Sequence, residues 1–195
     1  MAHEIVSGNA DRLRAILIEN PWAMRMLCAA RRVGAPDWLV GGGVIRTLVW
    51  DHLHEYETPT PLRDVDLAFF QSENLSSAVE SSVEHALRGQ APDIPWQARN
   101  QARVHLWYEA KFGLPVEPLT SSADGVATWP ETATSIAVRL EVDGSLTVVA
   151  PCGLDDLFAL VLRRNPRRVS RELFLERARD KRITECWPRV RVIDS

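Results

Sequence analysis

Leu13, Ile16 and Leu17 recur at the spacing of a helix that buries one stripe, and Val44, Ile45, Leu48 and Val49 do the same further on. Asn20-Pro21 interrupts the first run. An asparagine oxygen accepts from the free amides at a helix start, and proline suits the first helical position. Asn9 and Asn20 are therefore expected to cap two helices, a pair covering residues 9–33. Gly34-Ala35-Pro36 marks a turn, and residues 37–40 read as a short buried strand that runs into Gly41-Gly42-Gly43. The local order is strand, glycine turn, helix.

A two-residue period takes over after a loop at residues 55–63. Val65, Leu67 and Phe69 alternate, so Asp64 and Asp66 project together from the other face. Asn74 is expected to cap a helix that carries Leu75, Val79, Val83, Ala86 and Leu87 and ends near Gly89. Ala98, Ala102, Val104 and Leu106 predict a third strand over residues 96–108, and a short helix is expected over 121–127. Ile136, Val138, Leu140 and Val142 alternate into the hairpin turn Asp143-Gly144, with a return strand over 146–149. Two last helices are expected over 154–163 and 170–181, parted by Asn165-Pro166. The pattern predicts an α/β (α+β) fold, a small mixed β-sheet flanked by helices. It forms one domain over residues 1–195, with the helical pair at 9–33, a core at 37–150 and a basic helical tail at 153–195.

The 195 residues are 46% hydrophobic and 25% charged, which suits one buried core and excludes a disordered chain. Cys28, Cys152 and Cys186 are far apart and odd in number, as in a reducing compartment. Met1-Ala2-His3-Glu4 has neither the basic nor the apolar region of a secretory leader, and no run approaches the ~18 apolar residues of a membrane span. A cytoplasmic protein without membrane association is expected. The net charge of −3 argues against wholesale nucleic-acid binding, yet from residue 163 onward 11 Lys and Arg stand against 5 Asp and Glu. Arg163, Arg164, Arg167 and Arg168 form the densest cluster, read as a solvated face or as an RNA or phosphate contact.

The candidate chemistry lies in the coupling of two features. Two carboxylates two residues apart on a strand lie about 7 Å apart at their α-carbons, close enough to share hard cations such as Mg²⁺. A glycine turn opening a helix offers free backbone N–H groups and the positive end of the helix dipole, which together hold a phosphate, and Arg46 in the first turn can fork onto the same anion. Three acidic-x-acidic pairs occur, at Glu55/Glu57, Asp64/Asp66 and Glu141/Asp143, but only Asp64/Asp66 sits on an alternating strand downstream of such a turn. His52 and His54 would point apart on a helix. Glu131 reads more simply as a cap than as a distant third carboxylate.

Val40-Gly41-Gly42-Gly43-Val44-Ile45-Arg46 followed by Arg63-Asp64-Val65-Asp66-Leu67 resembles the DNA polymerase β-like nucleotidyltransferase superfamily, including the head domains of tRNA CCA-adding enzymes. Asn100-Gln101-Ala102-Arg103-Val104-His105, Trp129-Pro130-Glu131-Thr132-Ala133-Thr134 and Gly153-Leu154-Asp155-Asp156-Leu157-Phe158 extend the likeness over most of the chain, to small stand-alone bacterial nucleotidyltransferase-like proteins. The resemblance implies a nucleotidyltransferase fold and transfer of a nucleoside monophosphate from an NTP to a hydroxyl on RNA, protein or a small molecule. It implies Asp64 and Asp66 as catalytic ligands of Mg²⁺ or Mn²⁺, with Gly42, Gly43 and Arg46 binding the nucleotide.

Superfamily members usually add a third carboxylate on a later strand. The polar face of the segment from residue 96 to 107 instead reads Gln97, Arg99, Gln101, Arg103 and His105, so Gln97, Gln101 or Arg103 is expected to line the site where that acid usually stands. With two carboxylates the metal is expected to bind weakly until an NTP supplies further oxygens. The rival readings are an inactive nucleotide- or RNA-binding module of the same fold and a partner-binding protein of the toxin–antitoxin type.

Overall fold

The computed structural model describes residues 8–194; the reading of residues 1–4 lies outside them. Helix α1 (Asn9–Glu19) is preceded by Gly8, which provides no side-chain cap, and Asn9 is already helical. Its side-chain Nδ2 donates to Asp155 Oδ1 at 2.9 Å, while its Oδ1 accepts from Arg12 Nη1 at 3.3 Å rather than capping a backbone amide. Asn20 does cap α2 (Pro21–Val33), accepting from Ala23 N at 3.0 Å.

The core follows as β1 (Leu39–Gly41), α3 (Gly43–Leu53), β2 (Val65–Phe69), α4 (Ser77–Gln90) and β3 (Trp96–Asn100). Ser76 rather than Asn74 caps α4; Asn74 accepts from Ser76 N and shapes the approach to the cap. The strand expected to reach residue 108 stops at Asn100. The Asn100 side chain accepts from Ala102 N and Gln71 N, which turns the chain into a 3-10 turn (Gln101–Arg103) and then α5 (Val104–Phe112). Val104 and Tyr108, one helical turn apart, are the buried pair there, and Leu106, read as a core strand position, is 55% exposed.

After α6 (Ser122–Val126), β4 (Ala137–Leu140) and β5 (Leu146–Val149) form the expected hairpin. The tail corrects the all-helical expectation. Helix α7 (Asp155–Phe158) is one turn long, and the chain then enters β6 (Val161–Arg163), which pairs in parallel with β7 (Arg191–Ile193) across α8 (Arg171–Asp180) and α9 (Ile183–Cys186). Parallel pairing to a strand some thirty residues away leaves no local periodicity to read.

The five-stranded sheet has the order β3-β2-β1-β4-β5; β1 is antiparallel to β2 and to β4, and β2 is parallel to β3. Alternation divides its faces. Val40, Val65, Leu67, Phe69, Trp96, Ala98 and Val138 enter the main core with Leu13, Leu17, Met26, Leu27, Ile45, Val49 and Leu87 from the first four helices. Leu39 and Ala137 point the other way and meet only Val126, Trp129 and Val149. This second face is thinly covered, and Asp66 belongs to it. No helix among the described residues is long and apolar enough to cross a membrane.

The tail is bonded into the core rather than appended to it. Trp50 Nε1 donates to the Leu157 carbonyl at 2.9 Å and Trp187 Nε1 to Asp51 Oδ1 at 2.7 Å, while the two indoles meet edge to face at 5.4 Å. Asp51 also accepts from Thr60 N and Thr60 Oγ1, each at 2.7 Å. Asp51→Ala strands these donors, the Trp187 N–H in a buried site, and is expected to cost about 1–3 kcal/mol in urea unfolding. A loss under about 0.5 kcal/mol would mean that this bond does not hold the tail.

Candidate active site

Strand β1 turns sharply into α3, and two glycines permit it. A Cβ on Gly41 would collide with the Ile136 carbonyl and with Ala137, because β1 and β4 approach closely there. Gly42 has φ 73° and ψ −129°, open only to glycine at low cost. A Cβ on Gly42 would stand 3.6 Å from Asp66 Oδ2, so the Asp66 carboxylate lies directly across from the turn. The register agrees, pairing Gly41 with Asp66. Helix α3 then begins at Gly43 with no side-chain cap, leaving its first amides without a partner of that kind.

Asp66 and Asp64 act on each other. Burial, and secondly the charge of Asp64, push the Asp66 carboxyl up to about 6, against the opposing pull of Lys181, Arg99 and Arg177. Gln97 sits beside Asp66 in the parallel register, where a third acid was sought. Among the described residues no group of three His, Cys, Asp or Glu side chains is arranged to hold a metal ion. Asp64, expected on the strand, stands just before it, since β2 begins at Val65; it and Asp66 both line the larger groove.

The other expected residues divide. Gln101 lines the cleft but is wedged under Gly125 and donates to the Arg99 carbonyl at 3.1 Å. Arg103 is turned away: it forms an ion pair with Glu80 and donates to the Leu75 carbonyl at 2.6 Å, because the chain has left the strand before reaching it. Arg46 is 94% buried, given its 6% exposure, with its guanidinium 4.8 Å from the Trp187 ring centre and 5.4 Å from that of Trp50. It lines the large groove of about 780 Å³ together with Gly43, Asp64 and Asp66. Its Nε and Nη1 are buried without a hydrogen-bond partner. Burial lowers its pKa, with Glu131 and Asp51 opposing.

Three residues went unnoticed as a group. A smaller cleft of about 140 Å³ is lined by Gly42, Gly43, Asp66, Glu131, Arg177 and Lys181, among others. Glu131 is 2% exposed, accepts from Arg177 Nε at 3.2 Å and from Thr134 Oγ1 at 2.5 Å, and so is more than a cap. The signal in the sequence was the four-residue spacing of Arg177 and Lys181, one face at the end of α8. The cluster from Arg163 to Arg168 disperses instead. Arg163 pairs with Asp156 at 2.9 Å, Arg164 donates to the Val169 carbonyl, and Arg168 lies 5.3 Å over the Tyr108 ring in the groove.

The fold is that of a nucleotidyltransferase. A nucleotidyltransferase family model matches residues 28–192, and the chain belongs to that family. No curated protein sequence matches it. An NMR structure described as revealing a CCA-adding enzyme head domain is similar at a TM-score of 0.74 and 23% identity, covering 93% of this chain and 94% of that one. A CCA-adding enzyme in complex with CTP is similar at 0.55 and 13% identity; 92% of this chain covers 43% of that longer one.

The raised Asp66 carboxyl makes a signed prediction. Between its unfolded value of 3.8 and about 6, native Asp66 holds a proton that the unfolded chain has released, so stability falls as pH rises through that window. Asp66→Asn removes the penalty. It should stabilise the metal-free protein by about 3 kcal/mol at pH 7–8 and by little near pH 4, read from unfolding midpoints across pH. An equal effect at both ends would rule out the buried charge as its cause.

Proposed function

We propose that this protein transfers a nucleoside monophosphate from an NTP to a hydroxyl acceptor, RNA or protein, with Mg²⁺ or Mn²⁺ held by Asp64 and Asp66. The observation that carries the reading is the Asp66 carboxylate facing an uncapped helix start across the Gly42 turn. A carboxyl whose proton affinity is raised by burial and by a neighbouring carboxylate gains from a cation, so the pair fits a divalent ion. When bound, such an ion lowers the pKa of an acceptor hydroxyl and neutralises charge on the leaving pyrophosphate.

The chain's own groups do the remainder. The amides at Gly43 and beyond present donors and a positive dipole end to phosphate oxygens. Arg46 has two nitrogens unspent at the base of the groove, and burial strengthens any bond they make to an anion. Its packing against two indoles holds the guanidinium rigid, so it needs little ordering to bind. That a similar, longer enzyme was solved with CTP supports a nucleotide here. The unpaired cysteines fit a cytoplasmic setting. The absence of a third acid beside Gln97 favours one second reading, a nucleotide-binding module without catalysis.

Titration calorimetry separates the two. Catalysis requires NTP and Mg²⁺ to bind with positive coupling, of the order of tenfold or more, and Asp64→Asn or Asp66→Asn to abolish that coupling together with pyrophosphate release. NTP binding that ignores Mg²⁺ and survives both substitutions would sink the metal-dependent reading and leave the binding module.

A further inference from the structure

Helix α8 contributes charges that no motif accounts for. Arg177 and Lys181 border the small cleft opposite Gly42, Gly43 and Asp66. Arg177 spends only Nε on Glu131, and no hydrogen bond engages Lys181 Nζ among the described residues. Arg46 adds a third cation, felt electrostatically by both Glu131 and Lys181. Glu131, with Asp51 acting on Arg46, stands against these three once Asp64 and Asp66 are committed to a metal. The positive charge left over is costly unless an anion completes it.

Glu131 is itself built in. It sits in a segment sewn to the tail, with Thr132 N donating to the Arg163 carbonyl at 2.9 Å and Asn165 N to that of Pro130 at 2.8 Å. Asn165 Nδ2 adds bonds to the Ala127 and Trp129 carbonyls, each 2.9 Å. Burial raises the Glu131 pKa, but Lys181, Arg177, the Thr134 hydroxyl and Arg46 together hold it below the ordinary carboxylate range. With one oxygen on Arg177 and the other on Thr134, it is not available as a third metal ligand.

We propose that Glu131 is a positioning residue that holds Arg177 and Lys181 against the glycine turn, where the two cations receive the pyrophosphate end of the nucleotide. The inference rests on the nucleotidyltransferase reading for its ligand and goes beyond it in assigning that end to the tail helix. Glu131 touches no phosphate. Its charge opposes the lowering of the Lys181 pKa by burial and by two arginines, and its bond to Nε aims the free guanidinium edge of Arg177 into the cleft.

Inorganic pyrophosphate is the probe, titrated calorimetrically with and without Mg²⁺ into the full chain. Arg177→Ala and Lys181→Ala should each weaken it about tenfold or more, the scale of one charge-assisted bond. Glu131→Gln keeps the shape but loses the charge. It should weaken pyrophosphate several-fold, and more at higher pH because loss of the Glu131 charge lowers the Lys181 pKa further, with Glu131→Asp recovering part of the affinity. A purely structural Glu131 would lower the unfolding midpoint and leave pyrophosphate affinity and its pH profile unmoved, which overturns the proposal. Should Glu131→Gln fail to fold, wild-type affinity in both Arg177→Ala and Lys181→Ala overturns it equally, as does a wild-type protein that ignores millimolar pyrophosphate. Normal coupling of NTP to Mg²⁺ in the α8 variants would defeat this inference and leave the metal site standing. Pyrophosphate binding that needs α8 in a protein without that coupling would do the reverse.

Discussion

Strand β1 is only three residues long, yet it is paired antiparallel on both edges, and its last residue has no room for a side chain. That close approach of Gly41 to Ala137 fixes the height at which the chain leaves the sheet for α3. The same register sets Gly41 against Asp66, so the helix start and the carboxylate face each other as a consequence of strand pairing. Side chains alternate along a strand, and a slip of one residue would send Asp66 into the main core and Leu67 to the open face. The burial of Val65, Leu67 and Phe69 opposes that slip, and the hydrophobic core thereby specifies the site.

Charge inside the protein is arranged around this corner at some expense. Asp66 is raised toward neutrality, Arg46 is buried against two indoles with nitrogens unspent, and Lys181 is pressed down by burial and by neighbouring arginines. None of these is how a chain selected only for stability would use its polar groups. Their concentration at one turn is the physical mark of a site that ligands of both signs would complete. The tail takes part because Trp187, Asp51 and Asn165 bond it to α3 and to the Glu131 segment, so α8 is held over the cleft rather than tethered nearby.

The likeness to the solved CCA-adding enzyme head domain covers 93% of this chain and 94% of that one, so the two share one fold. The groove beyond the two aspartates is bordered by Arg99, Lys111 and Arg168 and the rings of Trp107 and Tyr108.

What the chain's pattern determined by itself was local. Helices α2 and α3, the strand bearing Asp66, the glycine turn and the Asp143-Gly144 hairpin were legible because capping, turn chemistry and two-residue alternation act between near neighbours. Gln97 beside Asp66 was legible for the same reason. The rest was decided by contacts between distant segments. Asn100 ended β3 through bonds to Gln71 and Ala102 where alternation suggested a longer strand, which carried Arg103 out of the site toward Glu80. Strand β6 formed because β7 was there to pair with it, and Glu131, Arg177 and Lys181 became one group only when the tail folded over the cleft. Such charges carry no periodic signature, since their partners lie some fifty residues away and only the folded chain brings them within reach of one another.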